Sequence, residues 1–104
     1  GRVVLSTVDH TLTLAEEHAR CMLRRAVMVH GLGPNNEVWA RVRPPADDPQ
    51  LALIQGGLHL SLNMSRALGH AVLSRYGVAP VPDIFDADVL PGDRLLIACD
   101  GVWE

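Results

Sequence analysis

The sequence predicts an α+β fold on three observations: a capped amphipathic segment near the N-terminus, short apolar runs punctuated by Gly, Pro and Asn, and one run of period-two alternation. Val3-Val4-Leu5 is a short strand-like run that ends at Ser6-Thr7 and leads into Asp9-His10. Thr13-Leu14-Ala15-Glu16 matches the Ser/Thr-x-x-Glu capping box, and Ala15, Ala19, Met22, Leu23 and Ala26 follow on one helical face. A helix from about Leu14 to Ala26 is predicted, closed by Arg24 and Arg25, whose charge suits its negative end. Val27-Met28-Val29 reads as a strand. Gly31 to Asn36 supplies a turn, and Val38 to Val42 alternates as a second strand.

Arg43-Pro44-Pro45-Ala46-Asp47-Asp48-Pro49 cannot continue a strand, because its prolines remove ladder donors, so a surface insertion is expected around residues 33–50. Leu58, Leu60 and Leu62 alternate with His59, Ser61 and Asn63, the pattern of a half-buried strand with His59 on its solvated side. Met64 to Leu73 has helical character interrupted by Gly69, and Gly77 to Pro82 is an extended connector. Ile84 to Leu90 and Arg94 to Ala98 flank Pro91-Gly92-Asp93 as the arms of a hairpin.

Composition narrows the function classes. The 104 residues make one small domain or part of a larger one. No run approaches the roughly 20 apolar residues that span a bilayer, and no signal-peptide profile opens the chain, so no membrane association is expected. Net charge is −3 without a basic patch, which argues against nucleic acid as a partner. Every basic residue is arginine, which reads as coding bias rather than chemistry. Cys21 and Cys99 stand far apart without a CxxC or Cys/His cluster, so both are expected to be buried small apolar residues in a reducing, intracellular compartment, cytoplasmic or nuclear.

The apolar run Leu95-Leu96-Ile97-Ala98 breaks off at Cys99-Asp100-Gly101-Val102-Trp103-Glu104. A buried strand that delivers a carboxylate to a glycine turn is one way a protein presents oxygen to a hard metal ion. Taken alone, an acidic residue in a turn reads as a solvated turn former. The stretch resembles the strand-end signature of the protein phosphatase 2C family of metal-dependent Ser/Thr phosphatases: an apolar strand, Ser or Cys, Asp-Gly, an apolar residue, Trp and Asp. Two further segments carry the resemblance. Thr7-Val8-Asp9-His10-Thr11, with Glu16, Glu17 and Arg20 after it, is similar to the family's Asp-His element. Ser65-Arg66-Ala67-Leu68-Gly69 matches the family's Ser-Arg-Ala-Leu-Gly letter for letter, and Gly77-Val78 and Pro82-Asp83-Ile84 follow in the family's order.

The resemblance runs from about Val4 to Glu104 and implies an internal fragment of the catalytic domain, a partial α-β-β-α sandwich of two antiparallel sheets flanked by helices. It implies hydrolysis of phosphoserine and phosphothreonine in protein substrates, by in-line attack of a hydroxide bridging two or more Mg²⁺ or Mn²⁺ ions. By motif position it makes Asp100 a ligand of the binuclear centre and makes Asp9 and Glu104 ligands of an additional, weaker ion. No catalytic residue beyond these ligands is identified, and the substrate-binding residues are unknown. The complete domain is expected to be a monomer.

Departures from the family pattern are informative. Glu104 replaces the usual Asp, adding a methylene between backbone and carboxylate, and His70 replaces the Asp that ends Ser-Arg-Ala-Leu-Gly-Asp. The family's upstream Asp-Gly-His-Gly element, its phosphate-binding Arg and its downstream Asp-Asn are absent, so the chain alone is expected to be inactive. A catalytically dead pseudophosphatase that serves as a binding or scaffold module, and an unrelated α+β binding domain, stand as alternatives. Ser65, His70 and Asp100 lack the Gly-x-Ser-x-Gly elbow of a hydrolase triad, and Arg66 is expected to pair structurally with a carboxylate.

Overall fold

A computed structural model describes residues 1–54 and 56–103. Its organising element is an antiparallel hairpin of β1 (Val27–Leu32) and β2 (Val38–Arg43), with Val27 opposite Arg43 and Leu32 opposite Val38. Five residues, Gly33 to Glu37, connect the strands. Gly33 N–H donates to Glu37 O at 2.8 Å, Asn36 N–H donates to Gly33 O at 3.0 Å, and Asn36 takes φ 62°, a left-handed conformation that asparagine tolerates. Both strands therefore lie where the alternation and the Gly/Pro/Asn cluster predict, with β1 reaching three residues further than Val29.

Helix α1 (Ala15–Leu23) packs against this hairpin. Its N-terminus departs from expectation: the N-cap is Leu14, and Thr13 makes no cap because its hydroxyl is bonded to that of Thr11 at 2.6 Å. The C-terminus ends three residues early, at Leu23, in a Schellman arrangement. Ala26 N–H reaches Cys21 O at 3.0 Å and Arg25 N–H reaches Met22 O at 3.0 Å, with Arg25 left-handed at φ 67°. Glycine is the residue that adopts this conformation without a Cβ penalty. Arg25→Gly is accordingly expected to raise stability by about 0.5–1 kcal/mol, read as a shift of the urea midpoint at unchanged m-value.

The core gathers Leu12, Cys21, Ala40, Val42, Leu73 and Val78, with Met28, Leu60, Leu62 and Ala67 packed partly against it. The face that α1 buries carries Glu17 and Cys21, whereas Met22 and Leu23 of the expected apolar face are exposed. The expected strand Leu58–Leu62 is instead a 3₁₀ turn, Gly57–His59, followed by a single antiparallel bridge from Leu62 to Val42. Met64–Leu73 is not a helix either. Ser65 N–H donates to His10 O and Ala67 N–H to Ala79 O, so these donors serve other segments and cannot close helical turns, and Gly69 is left-handed. A 3₁₀ turn at Leu73–Tyr76 follows.

Corrections concentrate at the two ends. Val3-Val4-Leu5 forms no strand and is exposed, and the segment 81–97 is exposed throughout. The Pro91-Gly92-Asp93 turn does form, with Asp93 N–H donating to Leu90 O and the Asp93 carboxylate accepting from Leu90 N–H at 2.7 Å, but no ladder joins its arms. Leu95 is 85% exposed and Ile97 85%, so the run before Asp100 is not a buried strand. A two-stranded ribbon without a covering layer buries too little apolar surface to hold its register. Cys99 is exposed, contrary to expectation, while Cys21 is buried and its thiol pKa is raised by that burial. Asp100 opens a four-residue helix, α2 (Asp100–Trp103), with Gly101 inside it. Among the described residues there is one sheet of two strands rather than two sheets, and no helix is long and apolar enough to cross a membrane.

Candidate functional site

The most highly organised polar cluster centres on Glu17, whose side chain is 3% exposed. A buried carboxylate is tolerated only when its lone pairs and charge are met. Here Oε1 accepts from Arg66 Nε at 2.9 Å, Arg20 Nη2 at 3.1 Å and Ser65 Oγ at 2.7 Å, and Oε2 accepts from Arg20 Nη1 at 2.6 Å and Arg66 Nη2 at 3.1 Å. Burial alone would raise the Glu17 pKa; the hydrogen bonds from Arg66, Arg20 and Ser65 outweigh it and hold the carboxyl well below its usual value. The Arg66 pKa is raised reciprocally, chiefly by Glu17 and then by Asp83.

Both guanidinium groups carry the network outward. Arg20 donates to Gly77 O and Ser65 O, each at 2.8 Å, which ties α1 to the start of the Ser-Arg-Ala-Leu-Gly segment and to the Gly77 turn beyond it. Arg66 donates to Val81 O at 3.1 Å and to Asp83 Oδ1 at 2.8 Å. The other oxygen of Asp83 lies 2.8 Å from His10 Nε2, and these two bonds, His10 first, lower the Asp83 pKa. An open cleft of about 380 Å³ lies over this row, lined by His10, Glu17, Arg66 and Asp83 together with Val8 and Phe85.

A second anchor lies elsewhere. Asp48 is buried, caps the 3₁₀ turn Pro49–Leu53 by accepting from Gln50 N–H at 2.8 Å, and accepts from Tyr76 OH and from Arg75 Nη2. The Tyr76 bond is the main cause lowering the Asp48 pKa, and it raises that of Tyr76. Sequence reasoning missed this pair, since nothing local links residues 48 and 76.

The predicted metal ligands stand apart from these clusters. Asp9 and Asp100 are both exposed, Asp9 immediately before His10 and Asp100 at the start of α2. Glu104 lies outside the described residues. Among the described residues no group of three or more His, Cys, Asp or Glu side chains is placed to hold a metal ion. By donor chemistry two solvated carboxylates suit Mg²⁺ or Mn²⁺; by number they do not complete a site. Ser65 donates its hydroxyl to Glu17 and is fully buried, so it is no nucleophile, and the buried Nδ1 of His70 has no partner among the described residues. Arg66 pairs with carboxylates as expected. The signal for Glu17 and Arg20 was present in the Asp-His element, which contains both, but their spacing from residues 65 and 66 hid the contact.

The Asp-His and Ser-Arg-Ala-Leu-Gly elements are thus fastened to one helix of an α+β unit, while the run 95–98 and Asp100 stand outside its core. A family model described as Protein phosphatase 2C matches residues 2–104. The chain belongs to the protein phosphatase 2C family. Over 44 residues it is 43% identical to the integrin-linked kinase-associated serine/threonine phosphatase 2C of Bos taurus, a match covering 41% of this chain and 12% of that protein. The human and mouse proteins of the same name match equally, at 43% identity over 44 residues and 11% of their length. The matched segment is therefore a small part of these relatives. No solved structure matches.

Proposed function

We propose that this chain is part of the catalytic domain of a metal-dependent protein Ser/Thr phosphatase, an intracellular enzyme that hydrolyses phosphoserine and phosphothreonine in protein substrates. The observation that carries the reading is the family match across residues 2–104, which takes in all three motif segments. In the complete domain the exposed runs at 84–90 and 94–98 pair within a sandwich of two antiparallel sheets, which accounts for apolar residues that have no covering layer here. Asp100 and Asp9 each contribute carboxylate oxygen to Mg²⁺ or Mn²⁺ there, Glu104 is assigned the same role by its motif position, and the remaining ligands come from elsewhere in the domain. Such ions supply positive charge to a bound phosphate and lower the pKa of their water.

The chain's own contribution is to hold these segments in register. Glu17, saturated by five donors, serves as a structural hub and is no proton acceptor. The test is turnover of a phosphothreonine peptide by the full-length protein with and without Mn²⁺. Manganese-dependent turnover that Asp100→Ala reduces to the metal-free background is expected, together with no turnover by the 104-residue chain alone. A folded full-length protein without turnover would favour a catalytically dead scaffold, the reading suggested by His70 at the motif's usual Asp, whose buried Nδ1 has no partner among the described residues.

A further inference from the structure

We propose that His18 and His30 form a two-imidazole site for a transition-metal ion of the Zn²⁺ class, set between α1 and the hairpin. The site uses none of the residues of the Glu17 row or of the carboxylate motifs, and it stands whether or not the phosphatase reading holds. The two rings come from different elements, His18 from α1 and His30 from β1, and their centroids lie 5.5 Å apart with the ring planes inclined at 40°. Strand register explains the meeting. His30 stands opposite Ala40, and Met28, its neighbour on the same face of β1, stands opposite Val42. Ala40 and Val42 are buried in the core, so His30 belongs to the face against which α1 packs.

Neither imidazole has a hydrogen bond or an ion pair among the described residues, and a contact between ring faces leaves the ring nitrogens unsatisfied. Both rings line an open pocket of about 500 Å³ whose other walls are Leu12, Thr13, Ala15 and Val38. No charged side chain lines it, so no carboxylate takes up the imidazole nitrogens, and water can enter to complete a coordination shell. Neutral imidazole suits Zn²⁺, Ni²⁺ and Cu²⁺, whereas Mg²⁺ and Mn²⁺ favour oxygen, so the pair selects a different class of ion from the one the carboxylates would take. Zn–N bonds of about 2.0–2.1 Å at a tetrahedral ion bring two imidazole centroids to about 5 Å, close to the 5.5 Å found here. The two ligands stand on a helix and a strand that are already packed together, so binding has no further segment to order. An ion held there clips α1 to the hairpin and stabilises the folded protein by mass action.

The experiment is a calorimetric titration of the full-length protein with Zn²⁺ at about pH 7.5, where an ordinary imidazole is neutral, in an excess of Mg²⁺ that occupies oxygen-ligand sites. The expected result is a Zn²⁺ step that wild type shows, that His18→Gln and His30→Gln each lose, and that His59→Gln keeps, since the His59 ring is exposed elsewhere on the chain. Saturating Zn²⁺ should also raise the thermal midpoint of wild type and of His59→Gln by more than it raises that of the other two variants. Pulsed electron paramagnetic resonance of Cu²⁺ bound to the wild-type protein gives a readout that needs no variant, and two coordinated imidazoles are expected. A wild-type protein without a Zn²⁺ step, or four titrations that superimpose, overturns the site. Loss of the step in only one of His18→Gln and His30→Gln, or a Cu²⁺ spectrum with a single imidazole, overturns the pairing on which it rests.

Discussion

Glu17→Ala is expected to destabilise the fold by about 3 kcal/mol, a large part of what holds a domain of this size together. The cost does not come from lost packing. Removing the carboxylate takes away the acceptor that Arg20 and Arg66 share and leaves their guanidinium groups facing each other across a nearly inaccessible site, their side chains 29% and 20% exposed. Water reaches both arginines in part, which keeps the loss toward the lower end of the range for breaking a buried pair. Ser65 Oγ, with no solvent access, loses its acceptor as well. Glu17→Gln should fall between wild type and Glu17→Ala, because the amide keeps one acceptor oxygen and turns its nitrogen toward donors. Urea unfolding separates the three proteins; an alanine variant within about 0.5 kcal/mol of wild type would show the network to be dispensable.

The same carboxylate gives a pH signature with a definite sign. Its folded pKa lies below the ordinary value of 4.5, so the folded state binds fewer protons than the unfolded chain. The stability it contributes is fully present above about pH 4.5 and drains as the pH falls below that value toward the depressed folded pKa. Asp83, lowered from 3.8 by His10 and Arg66, adds to the loss in the same direction. A plot of unfolding free energy against pH should therefore descend on its acid side, and Glu17→Gln should flatten that descent.

How much of this was legible depended on distance along the chain. The β1–β2 hairpin was, because its information is local: alternation on each arm and Gly, Pro and Asn between them. The structural pairing of Arg66 was legible too, but not its partner, since Glu17 lies 49 residues away and sequence spacing carries no signal at that range. Helix α1 was found and its ends were not. Thr13 offers a cap that Thr11 takes up instead, and the left-handed stop falls on Arg25, where no glycine announces it. Met64–Leu73 misled for a physical reason: its side chains have helical spacing, yet its amides bond to residues 10 and 79, and such non-local bonds override propensity. The candidate metal residues were legible only through family likeness. Asp9 and Asp100 sit on exposed segments whose geometry among the described residues brings no third ligand to them.

Gly77→Ala is the second substitution expected to act strongly, at about 3 kcal/mol destabilising, from two terms that add. Gly77 has φ 101°, in a region that costs a residue with a Cβ about 1–2 kcal/mol. That Cβ would also stand 2.8 Å from Cys21 Cα, 3.1 Å from Cys21 Sγ and 3.2 Å from Arg20 O, so α1 itself must move to admit it. The movement would reach the site described above, because Arg20 Nε donates to Gly77 O at 2.8 Å and Arg20 in turn holds Glu17 and Ser65 O. Pairing the change with Cys21→Ala distinguishes the sources of the cost. Removing the thiol relieves the contact with Sγ and leaves the contact with backbone Cα, so in urea unfolding the double variant should be less destabilised than the sum of the single variants and still well below wild type. Recovery of wild-type stability in the double variant would place the whole conflict in the sulfur atom and deny the backbone contact between α1 and the 77–79 segment the part assigned to it.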